Sequence, residues 1–377
     1  RYDIILVPLI FTIFEMIIGN LWHGFPWISF ALIISNNFLG SILLSIFGSY
    51  GTSFILINIF LIPAYYLKYK KFFNKSNNKI LLLIFFVSII IIFSLNKIHI
   101  NKIHEKNLDV DLVQLNFSVS DNISSQKKFI EITKIIETSK ADLIIFGENN
   151  FPFVLKDINK TGLEKYLKPN QKVIIGATRK DDNKYYNSLI FITKNQISFF
   201  DKKILVPFGE FVPFREYISF MNIIAGSIDY SKGSQPRYIE IDNIKNFIPV
   251  ICYEIIFFWQ LINKQNNQSD IIVNITNDSW FGNLIGPYQH FYLTKMRSAE
   301  FKKPLIRVSN NGISGIFDQN GRIIKHTTLN RKEILNFNIK IANERNLIFF
   351  HQIINLLIVF FFFSIFIFQI INGKRYS

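Results

Sequence analysis

Residues 347–371 read LIFFHQIINLLIVFFFFSIFIFQII, 25 positions without one Asp, Glu, Lys or Arg. A helix needs about 20 apolar residues to cross the hydrocarbon core of a bilayer. A run this long and this apolar is expected to be a transmembrane helix. Three further stretches share its character: 4–20, 51–67 and 80–95, the last short but almost pure Ile, Leu and Phe. A fifth, 28–48, is broken by Ser35-Asn36-Asn37 and by Gly40. Paired amides are costly in hydrocarbon, so this stretch is expected to lie along the membrane rather than cross it. The 49% hydrophobic content and the mean hydropathy of +0.24 agree with a chain folded partly in lipid.

Flanking cations set the expected orientation. The loop LKYKKFFNKSNNK carries five lysines between the second and third segments, which assigns it to the cytoplasm, and the chain ends in the basic tail GKRYS. Residues 1–96 are then transmembrane helices of a partial N-terminal bundle, with a membrane-associated stretch near 20–50. Residues 97–346 form an extracytoplasmic domain, 347–371 the last span, and 372–377 a cytoplasmic tail. In this arrangement Gly24-Phe25-Pro26-Trp27 falls on the outer side. The sequence starts at Arg1 inside an apolar stretch, so an N-terminal truncation is expected.

The middle segment is patterned like a soluble domain. Short apolar runs (VDLVQLN, DLIIFGE, KVIIGA, FIPVICYE, DIIVNIT, PLIRVS) alternate with helical stretches near 126–140, 255–264 and 287–302. Nearly continuous apolar strands belong to a sheet covered on both faces, hence an α/β domain. The net charge of +15 sits largely beside apolar segments rather than in one basic stripe, so no nucleic-acid partner is expected. One cysteine excludes an internal disulfide framework. The six histidines, at 23, 99, 104, 290, 326 and 351, show no metal-binding spacing; neither metal nor other cofactor is expected.

Three strand ends offer reactive groups: Glu148 in LIIFGENNFPF, Lys202 with Glu210 in FFDKKILVPFGEFVPF, and Cys252 in IPVICYE. Taken singly, each has an ordinary structural role, and a lone cysteine on an apolar strand is more often core than nucleophile. Together they suit acyl chemistry. A thiol attacks a carbonyl only as thiolate, so it needs a base or a nearby cation. Glu148 could be that base. Lys202 could stabilise the thiolate and then an oxyanion, beside a backbone N–H following Cys252.

The order Glu, DKKILVPFGE, CYE, NDSWFG resembles the carbon–nitrogen hydrolase (nitrilase) superfamily with its Glu-Lys-Cys triad. LVPFGEFVPF (205–214), ICYEII (251–256), NITNDSWFGNLIGPYQHF (274–291), KMRSAE (295–300) and PLIRVSNNGISGIFDQNG (304–321) are similar to its membrane branch, the apolipoprotein N-acyltransferases. The resemblance implies a nitrilase-like α-β-β-α sandwich held between transmembrane helices in a bacterial inner membrane, with the catalytic domain periplasmic. It implies Glu148 as general base, Lys202 as catalytic lysine and Cys252 as nucleophile, with Glu210, Tyr253 and Glu254 supporting the site. Asn277, Asp278, Trp280 and Phe281 would be architecture and pocket wall. Two positions depart from the pattern: Phe146-Gly147 stands where Trp-Pro is usual, and Ile204 where His is usual. The implied reaction moves an acyl chain from a membrane phospholipid, through a Cys252 thioester, to the N-terminal amine of a diacylglyceryl-cysteine apolipoprotein. The enzyme is expected to be a monomer in contact with the bilayer. Two other readings remain at this stage: a membrane-anchored amidase with the same triad, and a non-catalytic membrane scaffold.

Overall fold

Along the strands of the central domain apolar side chains alternate between two destinations, and that alternation builds the layers. In β2 (Leu143–Phe146), Leu143 and Ile145 join one core while Ile144 and Phe146 join another. β3 (Lys172–Asp181) and β4 (Lys184–Ile192) divide the same way, Ile174, Leu189 and Phe191 against Val173, Ile175, Ile190 and Ile192. The period of two is the pleat itself. The structure, a computed structural model, describes residues 3–73, 106–118, 123–156, 160–215, 228–242, 245–261 and 269–341.

Two six-stranded sheets stack on the first of these cores. One runs in the order β12 (Glu333–Ile341), β1 (Lys106–Gln114), β2, β3, β4, β5 (Ile197–Asp201). The other runs β6 (Ile239–Asp242), β7 (Lys245–Ile251), β8 (Ile271–Thr276), β9 (Leu305–Ser309), β10 (Gly315–Phe317), β11 (Ile323–His326). Each sheet has three parallel strands in its centre and antiparallel neighbours at both edges, in the same sequence of pairings. Helix α3 (Ser125–Thr138) seats Ile132 and Ile136 on the outer face of the first sheet. Helix α4 (Gly286–Phe301) lies beside β9 over the second. The result is the expected α-β-β-α sandwich.

Of the helix expected near 255–264, the described residues 255–261 are not α-helical. Two 3-10 turns, Cys252–Ile256 and Phe258–Leu261, occupy its start instead. Residues 252–256 are all buried, so this segment has no polar face to lay on solvent, and Glu254 reaches back to accept the Ile251 N–H at 2.9 Å.

Toward the N-terminus, α1 (Asp3–Asn20) packs on α2 (Phe38–Phe73). Between them the short 3-10 turn Phe30–Ile34 ends at Ser35, and the Asn37 side chain accepts the Gly40 N–H at 2.7 Å, as a helix cap does. This corrects the expected division of the segment. Residues 28–48 do not form one element: the turn Phe30–Ile34 stands apart, and 38–48 share α2 with 51–67, with Gly48 in the left-handed region between them. Within α2, Phe38–Ala64 is long and apolar enough to cross a membrane, the single such helix among the described residues. The apolar stretches 80–95 and 347–371 and the tail 372–377 lie outside the described residues.

Candidate active site

The three strand ends singled out from the sequence converge at one edge of the seam between the sheets. Glu148 follows β2 and Lys202 follows β5, both in the first sheet; Cys252 follows β7 in the second. Gly176 on β3 makes room for the first of these. A Cβ there would meet Glu148 Cα and Asn149 N at 2.5 Å, so only glycine lets the Glu148 loop cross the strand. Cys252 leaves β7 in the left-handed region, φ +53°, which turns its side chain sharply out of the strand direction.

The side chains form one buried cluster. Lys202 Nζ donates to Glu210 Oε1 at 2.9 Å and to Glu148 Oε1 at 3.4 Å. Asn187 Nδ2, on β4, donates to the same two oxygens at 2.7 Å each. Both neighbours are acceptors, so the amide nitrogen must face them. The Asn277 N–H holds Glu148 Oε2 at 2.8 Å, and the Val206 N–H holds Glu210 Oε2 at 2.8 Å. The Cys252 thiol lies close enough to Glu148 and Thr276 for both to act on its ionisation.

Burial governs the electrostatics. It pushes the Cys252 thiol up to about 12; the Glu148 carboxylate adds to the rise, and Lys202 and Thr276 oppose it. Burial also raises Glu148 above the ordinary carboxylate range, with Glu210 adding and with Lys202, Asn187 and Cys252 opposing. For Lys202 burial works toward the neutral amine, but Glu210 and Glu148 outweigh it and hold the ammonium charged. The resting thiol is therefore protonated. A proton passed from Cys252 to Glu148 leaves the charge of the cluster unchanged, whereas loss of that proton to solvent would add a buried negative charge. Activation by internal transfer is the route this arrangement favours.

Tyr253 and Glu254 brace the Cys252 segment. The Tyr253 hydroxyl donates to the Leu205 carbonyl at 2.6 Å, and its ring stands 5.4 Å from the Lys202 ammonium. Glu254 accepts the N–H groups of Ile251, Lys203 and Ile204 at 2.8–3.1 Å and both Arg237 Nη groups at 2.9 Å. Burial alone would raise its carboxyl, but Arg237 and these N–H groups hold it below the ordinary range. The departures at 146–147 and 204 leave this geometry intact. Phe146 is core, and Ile204 takes part through its backbone N–H.

Behind Cys252, Asn274 Nδ2 donates to the Cys252 carbonyl at 3.2 Å, and Arg307 Nη1 donates to Asn274 Oδ1 at 3.0 Å. Arg307 also pairs with Asp278 at 2.6 Å, and Asp278 with His290 Nδ1 at 2.8 Å. Asn277 and Asp278 thus build the frame, as expected. Phe281 packs on Trp27 and His290, with centroids 4.8 and 5.2 Å apart, while Trp280 is 76% exposed. Sequence reading missed Asn187, Arg237, Asn274 and Arg307. Three of them share a visible signal, a polar residue interrupting an apolar strand (YYNSLIF, IIVNIT, PLIRVS); Arg237, in a loop, has none.

Residues 110–348 match the carbon-nitrogen hydrolase family. The apolipoprotein N-acyltransferase of Rickettsia typhi is 32% identical over 88% of this chain and 68% of its own length. That of Rickettsia bellii is 31% identical over 97% and 76%. Among solved structures, a CN-hydrolase superfamily protein of Xanthomonas campestris with an arsenic adduct in its active site is 14% identical. It aligns over 62% of this chain and 91% of its own at a TM-score of 0.47. Nit3 of Saccharomyces cerevisiae is 17% identical over 64% and 92%, also at 0.47.

Proposed function

Because the chain belongs to the carbon–nitrogen hydrolase family and, within it, to the apolipoprotein N-acyltransferases, we propose that Cys252 is the nucleophile of its acyl transfer, Glu148 the base and Lys202 the cation that meets the developing oxyanion. The observation that carries this reading is the buried cluster itself. A buried, protonated thiol lies beside a carboxylate of raised basicity, and that carboxylate is bridged by an ammonium to Glu210.

In the first step Glu148 takes the thiol proton as Sγ attacks the ester carbonyl of a phospholipid. Lys202 Nζ and the Tyr253 N–H would receive the oxyanion. Collapse breaks the ester C–O bond, Glu148 returns the proton to the departing lysophospholipid alkoxide, and a thioester remains. In the second step Glu148 accepts a proton from the α-amine of the diacylglyceryl-cysteine as it attacks. The C–S bond breaks, the proton passes to the sulfur, and the amide leaves. Both substrates keep their acyl chains in a bilayer, which suits a domain tethered by α2 and by the apolar segments at 80–95 and 347–371. We place that domain on the periplasmic side of a bacterial inner membrane, as the basic loops indicate. The named relatives do not favour the amidase alternative.

Intact-mass spectrometry of the protein mixed with phospholipid and no acceptor tests the proposal. A hydroxylamine-labile gain of one acyl chain, absent in Cys252→Ala, is expected. Glu148→Ala and Lys202→Ala are expected to slow its formation by roughly 10²-fold or more. Near-parental acylation in any of the three variants overturns the assignment.

A further inference from the structure

Helix α2 is interrupted where the catalytic domain touches it. Gly48 has φ +63°, a left-handed residue inside an otherwise right-handed helix, and the Ser49 N–H beside it is bound outside the helix. Its acceptor is Glu300 Oε1, 2.7 Å away, at the C-terminal end of α4. The same oxygen would lie 3.1 Å from a Cβ on Gly48, so the carboxylate rests directly on the bare backbone. Glu300 Oε2 accepts the Ser49 hydroxyl at 3.3 Å and pairs with Arg297, one turn back on α4. Arg297 Nη2 donates to Ser49 Oγ at 3.0 Å. All of these polar side chains are buried. A buried ion pair clasping a broken helix of the membrane part is a specific docking device, since buried charge is tolerated only where it is fully partnered.

The clasp reaches the nucleophile segment by short links. The Arg297 guanidinium lies 5.0 Å over the Phe258 ring, which also meets Tyr50, one residue past Ser49, at 5.0 Å. Phe258 opens the second 3-10 turn, six residues after Cys252. At the opposite end of α4, His290 bonds Asp278, next to the Asn277 N–H that holds Glu148. Thus α4 ties the break in α2 to both the thiol and its base.

We propose that Glu300, with Arg297, is a positioning residue for the lipid-dependent step: by clasping the break at Gly48–Ser49 it fixes the height and tilt of the Cys252 segment against the membrane helices, so that the thiol meets an ester carbonyl still held in a bilayer. The proposal rests on Cys252 as the nucleophile and on α2 as a membrane helix. It assigns no chemistry to Glu300, so the reactivity of Cys252 toward a donor dissolved in water does not depend on the clasp.

Two donors separate these roles, used with the complete chain in lipid nanodiscs. One is soluble p-nitrophenyl butyrate, read as the burst of p-nitrophenol; the other is nanodisc phospholipid, read as thioester mass. Glu300→Ala is expected to keep the burst within about twofold while phospholipid acylation falls at least roughly tenfold, as displacement of reacting groups does. Gly48→Ala, which forces a Cβ onto the carboxylate in a left-handed backbone, is expected to reproduce that split without altering any charge. Ser49→Ala keeps the N–H bond and is expected to behave like the parent. Equal losses with both donors in Glu300→Ala and Gly48→Ala, or no loss with either, overturn the proposal. Should Glu300→Ala not accumulate as folded protein, Gly48→Ala decides alone. A burst that persists in Cys252→Ala would instead overturn the underlying assignment of the nucleophile.

Discussion

Asn187→Ala removes a donor that Glu148 and Glu210 share. Each carboxylate loses one hydrogen bond of 2.7 Å, but the two losses differ in weight. Both keep one backbone N–H at 2.8 Å, from Val206 on Glu210 and from Asn277 on Glu148, but Lys202 stands 2.9 Å from Glu210 and 3.4 Å from Glu148. Glu148, with the longer remaining bond to the ammonium, therefore bears the larger loss. A hydrogen bond to a charged group contributes about 1.5–3 kcal/mol, which converts to roughly 10- to 100-fold in the population of the ionised base. Glu148 must be ionised to accept the thiol proton, so thioester formation rises as pH rises through its pKa. Burial already holds that pKa above the ordinary carboxylate value of 4.5, and without Asn187 it climbs further. The acid limb of the pH–rate profile should move to higher pH, with the plateau above it falling less than the rate below it. Thioester formation measured by mass spectrometry across pH provides the assay. Asn187→Asp, which sets an acceptor against two acceptors, should be worse than Asn187→Ala. An acid limb that stays in place while the whole profile drops would show that Asn187 only fills space, and the reasoning would fail.

The remaining expectations concern the thiol, the brace and the surface. Cys252, pushed up to about 12, is protonated at neutral pH, so its alkylation by iodoacetamide should be at least roughly 10²-fold slower than that of free cysteine; a rate matching free cysteine refutes the raised value. Glu254→Gln leaves the Arg237 guanidinium buried without its charge partner and should cost about 3–5 kcal/mol, read as a lower thermal midpoint in detergent. Because the Glu254 carboxyl is held below its ordinary range, its contribution is present above pH 4.5 and lost as pH falls through the folded value. The midpoint gap between parent and Glu254→Gln should therefore narrow on acidification, and a gap constant down to low pH would contradict it. Trp280→Ala should leave the midpoint unchanged within about 0.5 kcal/mol of stability, since the indole is mostly exposed; a clear fall would mean that it packs.

How far the sequence could be read follows from how each element is buried. The parallel strands were legible because both of their faces are covered: every residue of Leu143–Phe146 and of Ile271–Thr276 is buried, which writes an apolar run, unbroken in the first and interrupted only by Asn274 and Thr276 in the second. The edge strands were not. Glu333–Ile341 mixes polar and apolar residues because its register on β1 leaves Asn336 and Asn338 exposed, where they bond Asp111 and Asp109. Glu148, Lys202 and Cys252 were readable because strand ends deliver them and the order of motifs resembles a known family. The left-handed turn at Cys252 was not, because it is imposed from outside the local sequence, by the Asn274 and Arg307 chain behind the peptide and the Arg237–Glu254 pair beneath it. The start of 255–264 misled for a related reason: Ile255–Phe258, an apolar run buried on every side, carries no period from which to tell an α-helix from a tighter turn.

The placement of the cluster has a consequence for how its geometry is kept. Glu148 and Lys202 follow strands of one sheet and Cys252 a strand of the other, so no single element sets the distance from carboxylate to thiol; the packing between sheets does. A seam of apolar contacts alone would slide. This one is pinned at the catalytic edge by polar bonds across it. The Glu148 N–H donates to the Thr276 carbonyl at 3.3 Å, and the Asn277 N–H returns a bond to Glu148 Oε2 at 2.8 Å. One loop further, Asn310 exchanges bonds with the Phe117 backbone at 3.0 and 2.8 Å and accepts one from Asn150 at 3.0 Å. These bonds are directional where burial is not. They hold Glu148 against Cys252 at a register that hydrophobic burial would leave free, and they run through the same Asn277 that supports the base.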